Sequence, residues 1–303
     1  MTAETTADET PPPIAATTAA RLLSLFIVLV TFVVAFGPAR RAAQRSGARL
    51  GVRTPVYFHR ILCLGLGIKV RRHGTFSSAP KQLIVANHIS GLDMPVLGSL
   101  GPLSFVSKKE IDNPQEPPRV RLRRELVALQ DVVYIDRRRR FGAPAVNARM
   151  VEVMRTGAPV VLFAEAAMGD GNRLQRLRSS HFEAARLAAC SDNEGASVIQ
   201  PVYLHYSSIA GLPTTRWQRP RIAWYGEMPF LPHFLQCARS GGVTCDVYCG
   251  APIRVLPDMD RKSAARLTEA ALRELAAKAR LGKAAVASGG RQNLAAGAGR
   301  RRW

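Results

Sequence analysis

Between residues 82 and 280 short, largely apolar runs alternate with longer segments whose apolar residues recur at helical spacing. Gln82–Ala86 (QLIVA), Val132–Ile135 (VVYI) and Val160–Phe163 (VVLF) read as buried strands. Val198–Leu204, Arg221–Tyr225 and Thr244–Tyr248 extend the set. Met94–Leu100 and Ala145–Thr156 read as helices, the second ended by Gly157 and barred from continuing by Pro159. Asp258–Arg280 predicts a closing helix with Ala264, Leu267, Ala271 and Leu275 on one face, behind acidic residues suited to its N-terminus. Strands interleaved with helices predict an α/β fold, with a mixed central sheet of about six or seven strands flanked by helices.

The start of the chain follows a different pattern. Residues 1–20, with Pro11-Pro12-Pro13 and many Thr and Ala, cannot bury a core and read as a disordered leader. Leu22–Pro38 (LLSLFIVLVTFVVAFGP) carries no charge. As a helix rising about 1.5 Å per residue it reaches roughly 25 Å, against roughly 30 Å for a hydrocarbon core. Anchoring is preferred over a cleaved signal peptide, because the basic residues follow the run instead of preceding it. A buried core helix is the third reading. Val56–Val70, interrupted by His59, Arg60 and Lys69, is too short to span; it fits an amphipathic helix lying in the interface or a helix packed on the domain. These readings divide the chain into a leader (1–20), a membrane helix with a basic amphipathic segment (21–75), an α/β domain (76–280) and a mobile basic tail (281–303).

Charge adds direction. The formal net charge is +21, and no acidic residue falls between Glu9 and Asp93, whereas Arg40, Arg41, Arg45, Arg49, Arg53, Arg60, Lys69, Arg71 and Arg72 crowd the stretch after the apolar run. That asymmetry predicts a domain on the cytoplasmic face of the inner or plasma membrane, anchored by residues 22–38 and facing anionic lipid. Five cysteines are too few, and odd in number, for a secreted disulfide scaffold. They read as buried small hydrophobes, and zinc at His233, Cys237, Cys245 and Cys249 is disfavoured because Cys245-x3-Cys249 falls in strand-like sequence. His181 and His205 read as structural, and Trp217 and Trp224 as core or interfacial aromatics.

The chemistry concentrates in three places. Asn87–Asp93 (NHISGLD) lies between a strand and a helix, so Asp93 can fold back on His88, fix its tautomer and leave the other ring nitrogen as a base. An N-cap aspartate beside a solvated histidine is the plainer alternative. Arg137, leaving the strand at Val132–Ile135, can present its fork to a phosphate. Phe163–Arg173 (FAEAAMGDGNR) breaks from a strand into a Gly-rich loop beside Glu165, and the backbone around Gly169 and Gly171, with Arg173, can cradle an anionic or hydroxyl-bearing group or be an ordinary turn.

Taken in order, these blocks resemble the glycerolipid acyltransferases, which include 1-acylglycerol-3-phosphate acyltransferases and lyso-ornithine-lipid relatives. The resemblance covers about residues 80–260. The family's His-x4-Asp box falls on His88 and Asp93. Its Gly-x-x-Phe-x-x-Arg block falls on Asp131–Arg137, with Asp131 and Tyr134 as departures. Its Phe-Pro-Glu-Gly-Thr block falls on Phe163–Ala167, keeping Glu165 but carrying Ala164, Ala166 and Ala167. Ile199-Gln200-Pro201-Val202 matches a fourth block, and Arg221–Phe230 is similar to a segment of bacterial members.

The resemblance implies that His88, oriented by Asp93, deprotonates a lysolipid hydroxyl that attacks an acyl thioester, without a covalent acyl-enzyme. Arg137 and Glu165, with the loop residues Gly169, Gly171 and Arg173, are implied to place the head group. No metal or bound cofactor is implied; the thioester of acyl carrier protein or coenzyme A is a co-substrate, and both are anionic partners for a basic surface. Lysophosphatidic acid is the first acceptor and lyso-ornithine lipid the second. Met168 stands near where relatives carry an Arg after the block's Glu. A catalytically inactive, basic, membrane-tethered protein binding lipid or nucleic acid is the reading from another class. Nucleic acid is not an expected partner, since no zinc-finger spacing, RNA-recognition signature or basic heptad region is present.

Overall fold

The computed structural model describes residues 49–108, 132–135, 142–165, 167–191, 195–224 and 230–289, with isolated helical residues 19, 20 and 23. The anchor expected at Leu22–Pro38, and Asp131, Arg137 and Ala166, lie outside the described residues, Leu23 excepted. No helix among the described residues is long and apolar enough to cross a membrane.

Among the described residues nine strands form one mixed sheet. They are β1 (Ile68–His73), β2 (Gln82–Ala86), β3 (Ser104–Lys108), β4 (Val132–Ile135), β5 (Val160–Phe163), β6 (Ser197–Ile209), β7 (Leu212–Pro213), β8 (Val243–Cys249) and β9 (Ile253–Val255). The order is β1-β8-β6-β2-β5-β3-β4, with β7 and β9 pairing to β6. The neighbours β2/β5, β2/β6, β3/β5, β3/β4 and β1/β8 are parallel, and β6/β8 is antiparallel. The helices are α1 (Arg49–Gly65), α2 (Asp93–Gly98), α3 (Gly142–Arg155), α4 (Glu183–Ala189), α5 (Phe230–Arg239) and α6 (Arg261–Gly289).

The period of two in β2 builds both halves of the core. Ile84 and Ala86 join Phe105, Val161, Val202, Leu204 and Tyr206 under α1, α2 and α5. Leu83 and Val85 face the other way, with Val160, Leu162, Ile199 and Tyr203 under α3, α4 and α6. A strand buried on both faces is a nearly continuous apolar run, which is why QLIVA was legible; its one polar residue, Gln82, is buried with its amide bonded to Gln200. Pro201 lies inside β6, a position that ordinarily forfeits a ladder hydrogen bond. It falls between the stretch of β6 that pairs with β9 (Ser197–Ile199) and the stretch that pairs with β8 (Val202–Ile209), so its missing N–H breaks neither ladder. Beside it Gln200 is a buried staple: its Oε1 accepts from Gln82 Nε2 (2.6 Å) and Ser77 N (2.8 Å), and its Nε2 donates to the carbonyls of Thr75 (2.9 Å) and Gly250 (3.1 Å). The fourth sequence block therefore builds the sheet.

Four expectations are corrected. Arg221–Tyr225 forms no strand among its described residues: Pro220 sits in a 3-10 turn over Arg219–Arg221, and Ile222 and Ala223 are buried from an irregular segment. The sheet begins at β1, ahead of the boundary drawn at residue 76, because Ile68–His73 leaves the apolar segment as an edge strand with exposed basic side chains, a composition edges tolerate. On α6 the buried stripe is Ala264, Ala265, Thr268, Leu272, Ala276 and Ala279, while Leu267 is 50% exposed; small residues let the helix sit close to the sheet. The strand read at Val198–Leu204 runs on as β6 to Ile209, so His205 lies inside it and not after it.

The segment preceding β1 packs on the domain. Val56, Phe58, His59 and Cys63 of α1 are buried, and the His59 ring makes edge contacts with Phe58 and Phe105. Gly98 of α2 leaves the space that ring needs, since a Cβ there would lie 2.1 Å from His59 Cδ2. Burial brings the His59 pKa down to about 4, so the ring is a neutral wedge. Gly98→Ala is expected to destabilise the protein by at least about 1–3 kcal/mol, because an aromatic cage leaves the ring nowhere to go. Thermal denaturation monitored by circular dichroism checks this, and an unchanged midpoint would contradict it.

Candidate active site

The site lies beyond the carboxyl ends of the parallel neighbours β2 and β5, where an open α/β sheet leaves a crevice. The backbone leaving β2 is fixed by Asn87, whose amide donates to the carbonyl of Leu204 (3.1 Å) and accepts from its N–H (2.7 Å). His88 follows, and the chain then turns into α2. Asp93 is fully buried, and its Oδ2 accepts from the backbone N–H of Ile89 (2.7 Å), from that of Ser90 (2.9 Å) and from His88 Nδ1 (2.8 Å). A carboxylate bonded this way can only accept, so Nδ1 carries the proton and Nε2 is the free base. The His88 side chain is 19% exposed, and its ring stacks on Phe163 at 4.1 Å between centroids. It is immobilised on one face yet open to a substrate.

The remaining Asp93 oxygen, Oδ1, accepts from the Tyr206 hydroxyl at 2.7 Å. Tyr206 sits beside the irregularity at which the register of β6 against β8 shifts, between Tyr206 and Ser208; such bulges re-aim side chains. No spacing rule could have found it: 113 residues separate it from Asp93.

Glu165, just past β5, is joined to the same backbone. Its Oε2 accepts from the His88 N–H (2.9 Å) and its Oε1 from the Gln175 N–H (3.0 Å). Burial pushes its pKa up to about 7, against the pull of those two amides and with a further push from the Asp93 charge. Gly169 donates its N–H to the His88 carbonyl at 2.9 Å. Gly171, at φ +77°, lies between Ile89 and Arg219: a Cβ there would be 3.3 Å from Ile89 Cγ2 and 3.6 Å from Arg219 Cβ. Arg173 is exposed beside Asp170. The structure thus gathers His88, Asp93, Glu165, Gly169 and Gly171 around one turn and leaves Arg173 at the rim. Sequence reasoning missed Tyr206, Phe163 as a stacking partner, and the arginines that border the loop.

Because the folded state holds a proton on Glu165 that an unfolded chain releases near pH 4.5, stability falls as pH rises from about 4.5 to 7. The slope approaches about 1.4 kcal/mol per pH unit from this group. Glu165→Gln is expected to flatten that part of the profile. Denaturant melts from pH 5 to pH 8 test it, and parallel profiles for the two proteins would refute the assignment.

An imidazole with one nitrogen committed to a buried carboxylate and the other open can take a proton from a hydroxyl and return it to a leaving group. Comparison with known proteins supplies the family. Residues 67–205 match the acyltransferase family. Lyso-ornithine lipid O-acyltransferase of Brucella abortus is 30% identical over 87% of this chain and 94% of its own length. Its Rhizobium meliloti namesake is 34% identical over 73% and 74%. The 1-acyl-sn-glycerol-3-phosphate acyltransferase of Neisseria gonorrhoeae is 26% identical over 52% and 61%. The crystal structure of the 1-acyl-sn-glycerophosphate acyltransferase PlsC from Thermotoga maritima shares the fold, with a TM-score of 0.56 and 15% identity over 88% of this chain and 98% of that one. Fold and relatives together define an α/β enzyme that moves acyl groups. The chain belongs to the acyltransferase family.

Proposed function

We propose that this acyltransferase moves a fatty acyl group from a thioester to the free hydroxyl of a lysolipid, with a lyso-ornithine lipid as the favoured acceptor. His88 Nε2 takes the hydroxyl proton, and the resulting oxygen nucleophile attacks the thioester carbonyl carbon. The C–O bond forms and the C–S bond breaks as the tetrahedral intermediate collapses. The proton on Nε2 passes to the departing thiolate. Asp93 stabilises the imidazolium between these events, and Glu165 holds the backbone on which His88 rides. The observation that carries the reading is the open His88 Nε2 above a fully buried, four-donor Asp93.

The acceptor preference rests on the extent of likeness. Relatives named lyso-ornithine lipid O-acyltransferase match over 87% and 73% of the chain, whereas the Neisseria relatives match over 52%. Lysophosphatidic acid is the second reading, on the strength of those Neisseria relatives and of the fold shared with the Thermotoga enzyme. The donor is acyl carrier protein or coenzyme A, either one anionic against a +21 chain. Membrane attachment by residues 22–38, on the cytoplasmic face, completes the proposal. In support, α1 and β1 expose Arg53, Arg60, Lys69 and Arg72, together with Leu64 (79% exposed), a mix suited to an anionic leaflet. The test is acyl transfer by membranes containing the protein, with labelled acyl thioester and the two lysolipids in competition. Acylation of the ornithine lipid in preference is expected; preference for lysophosphatidic acid would promote the second reading, and transfer to neither would reject both.

A further inference from the structure

Beside the catalytic turn, the loop after Glu165 is bordered by two arginines that lie far apart in sequence and outside the recognised blocks. Asn172 holds both. Its Oδ1 accepts from Arg219 Nη1 (3.2 Å), and its backbone carbonyl accepts from Arg280 Nη2 (2.7 Å). Asn172 is itself fixed: its Nδ2 donates to Asp170 Oδ2 (3.1 Å) and to the Arg216 carbonyl (3.0 Å), and its N–H donates to Asp170 Oδ1 (2.9 Å). The two guanidinium groups are therefore positioned by a neutral residue.

Charge around them is unbalanced. Asp170 is already engaged by Asn172 and by Arg173, and neither Arg219 nor Arg280 makes an ion pair with it. Burial, and then the charge of Arg280, hold the Arg219 guanidinium below its ordinary value, and the buried Arg219 Nε has no hydrogen-bond partner among the described residues. Two held cations that repel one another are an arrangement an anion relieves. The pair also faces the chemistry. Gly171 separates Arg219 from Ile89, the residue after His88, by the thickness of one glycine, and Trp224 N–H donates to the Ile89 carbonyl (2.9 Å), tying the Arg219 segment to the catalytic turn. Tyr203 stands among Arg280, Arg219 and Glu165.

We propose that Arg219 and Arg280 form a clamp for the anionic oxygens of the acceptor's head group, a carboxylate in an ornithine lipid or a phosphate in lysophosphatidic acid. The clamp rests on the lysolipid reading above and gives this chain a specificity element outside the family's blocks. It acts on binding, because head-group charge is the same before and after the hydroxyl is acylated.

The full-length protein in membranes tests this at saturating acyl thioester, with lyso-ornithine lipid, its head-group carboxamide and lysophosphatidic acid as acceptors. Arg219→Gln and Arg280→Gln should each raise the KM for the acidic acceptor roughly 10- to 100-fold, with kcat and donor KM little changed. The wild type should discriminate against the carboxamide by a similar factor and the variants should not. An effect confined to one acidic acceptor supports the clamp and identifies its ligand. Unchanged acceptor KM in both variants, or equal rises for acid and carboxamide, overturns it while leaving the acyltransferase reading intact. Transfer by the wild type to no acceptor overturns the lysolipid reading and the clamp with it. Arg280 is exposed on α6, so Arg280→Gln should fold as the wild type does, and it carries the test if Arg219→Gln does not.

Discussion

Replacement of His88 by alanine is expected to lower acyl transfer by about 10²- to 10⁴-fold, the range over which a positioned general base acts. His88 makes five contacts: its ring meets Asp93 through Nδ1, the ring of Phe163 and solvent on its open edge, and its backbone meets Glu165 and Gly169. Only the first three are lost in the variant, and the backbone contacts that shape the turn survive. Folding should therefore be nearly intact, with a melting midpoint close to the wild type. Gln at position 88 can keep a hydrogen bond to Asp93 but has no basic nitrogen, so it should be as inactive as alanine. Retention of more than about a tenth of wild-type turnover in either variant would remove His88 from the reaction.

The parts of this site that were legible are those in which the message is local. Strand β2 is buried on both faces and so is apolar from Leu83 to Ala86; the polar turn after it and the carboxylate five residues on from His88 are contiguous in sequence, and Asp93 reaches Nδ1 with no help from elsewhere. Glu165 was legible for the same reason, since it follows a second all-apolar strand. Tyr206 was not. It is one of a run of residues in β6 whose alternation says only which face each occupies, and its partner is set by the sheet order β6-β2. Arg219 and Arg280 meet at Asn172 through tertiary structure alone. Elsewhere, composition misled. Arg221–Tyr225 has the aromatic and β-branched residues of a strand, yet Pro220 and the contact of Trp224 with Ile89 spend residues 221–224 on the turn that carries His88. β1, with four exposed or half-exposed polar residues in six, had no apolar run to announce it, because an edge strand buries little. On α6, alanines hid the true buried stripe from a reading that weighted leucines.

Asp93→Ala is expected to damage stability as well as activity, and the contrast with Asp93→Asn separates the two roles. Four donors converge on this fully buried carboxylate: two backbone N–H groups, the Tyr206 hydroxyl and the His88 ring. Alanine leaves the two N–H groups without an acceptor, and Tyr206 lies in the same closed core, 3% exposed. At about 1–3 kcal/mol for each stranded buried group, the loss is at least about 3 kcal/mol, a large part of a typical total of about 5–15 kcal/mol. For a chain of this size that corresponds to a fall in midpoint on the order of 10 °C. Asparagine is different. With its oxygen placed at the Oδ2 position it still accepts from both backbone N–H groups and from Nδ1. Its amide then meets Tyr206, whose hydroxyl can rotate to accept. The fold should survive within about 2 kcal/mol. What asparagine lacks is the negative charge that offsets the imidazolium formed when His88 takes the proton, so turnover should still fall by orders of magnitude while the acceptor KM moves little. Paired melts and kinetics decide the matter. If Asp93→Ala melts with the wild type, the carboxylate does not organise the turn. If Asp93→Asn turns over normally, its charge plays no part in the transfer, and orientation of the ring is its whole contribution.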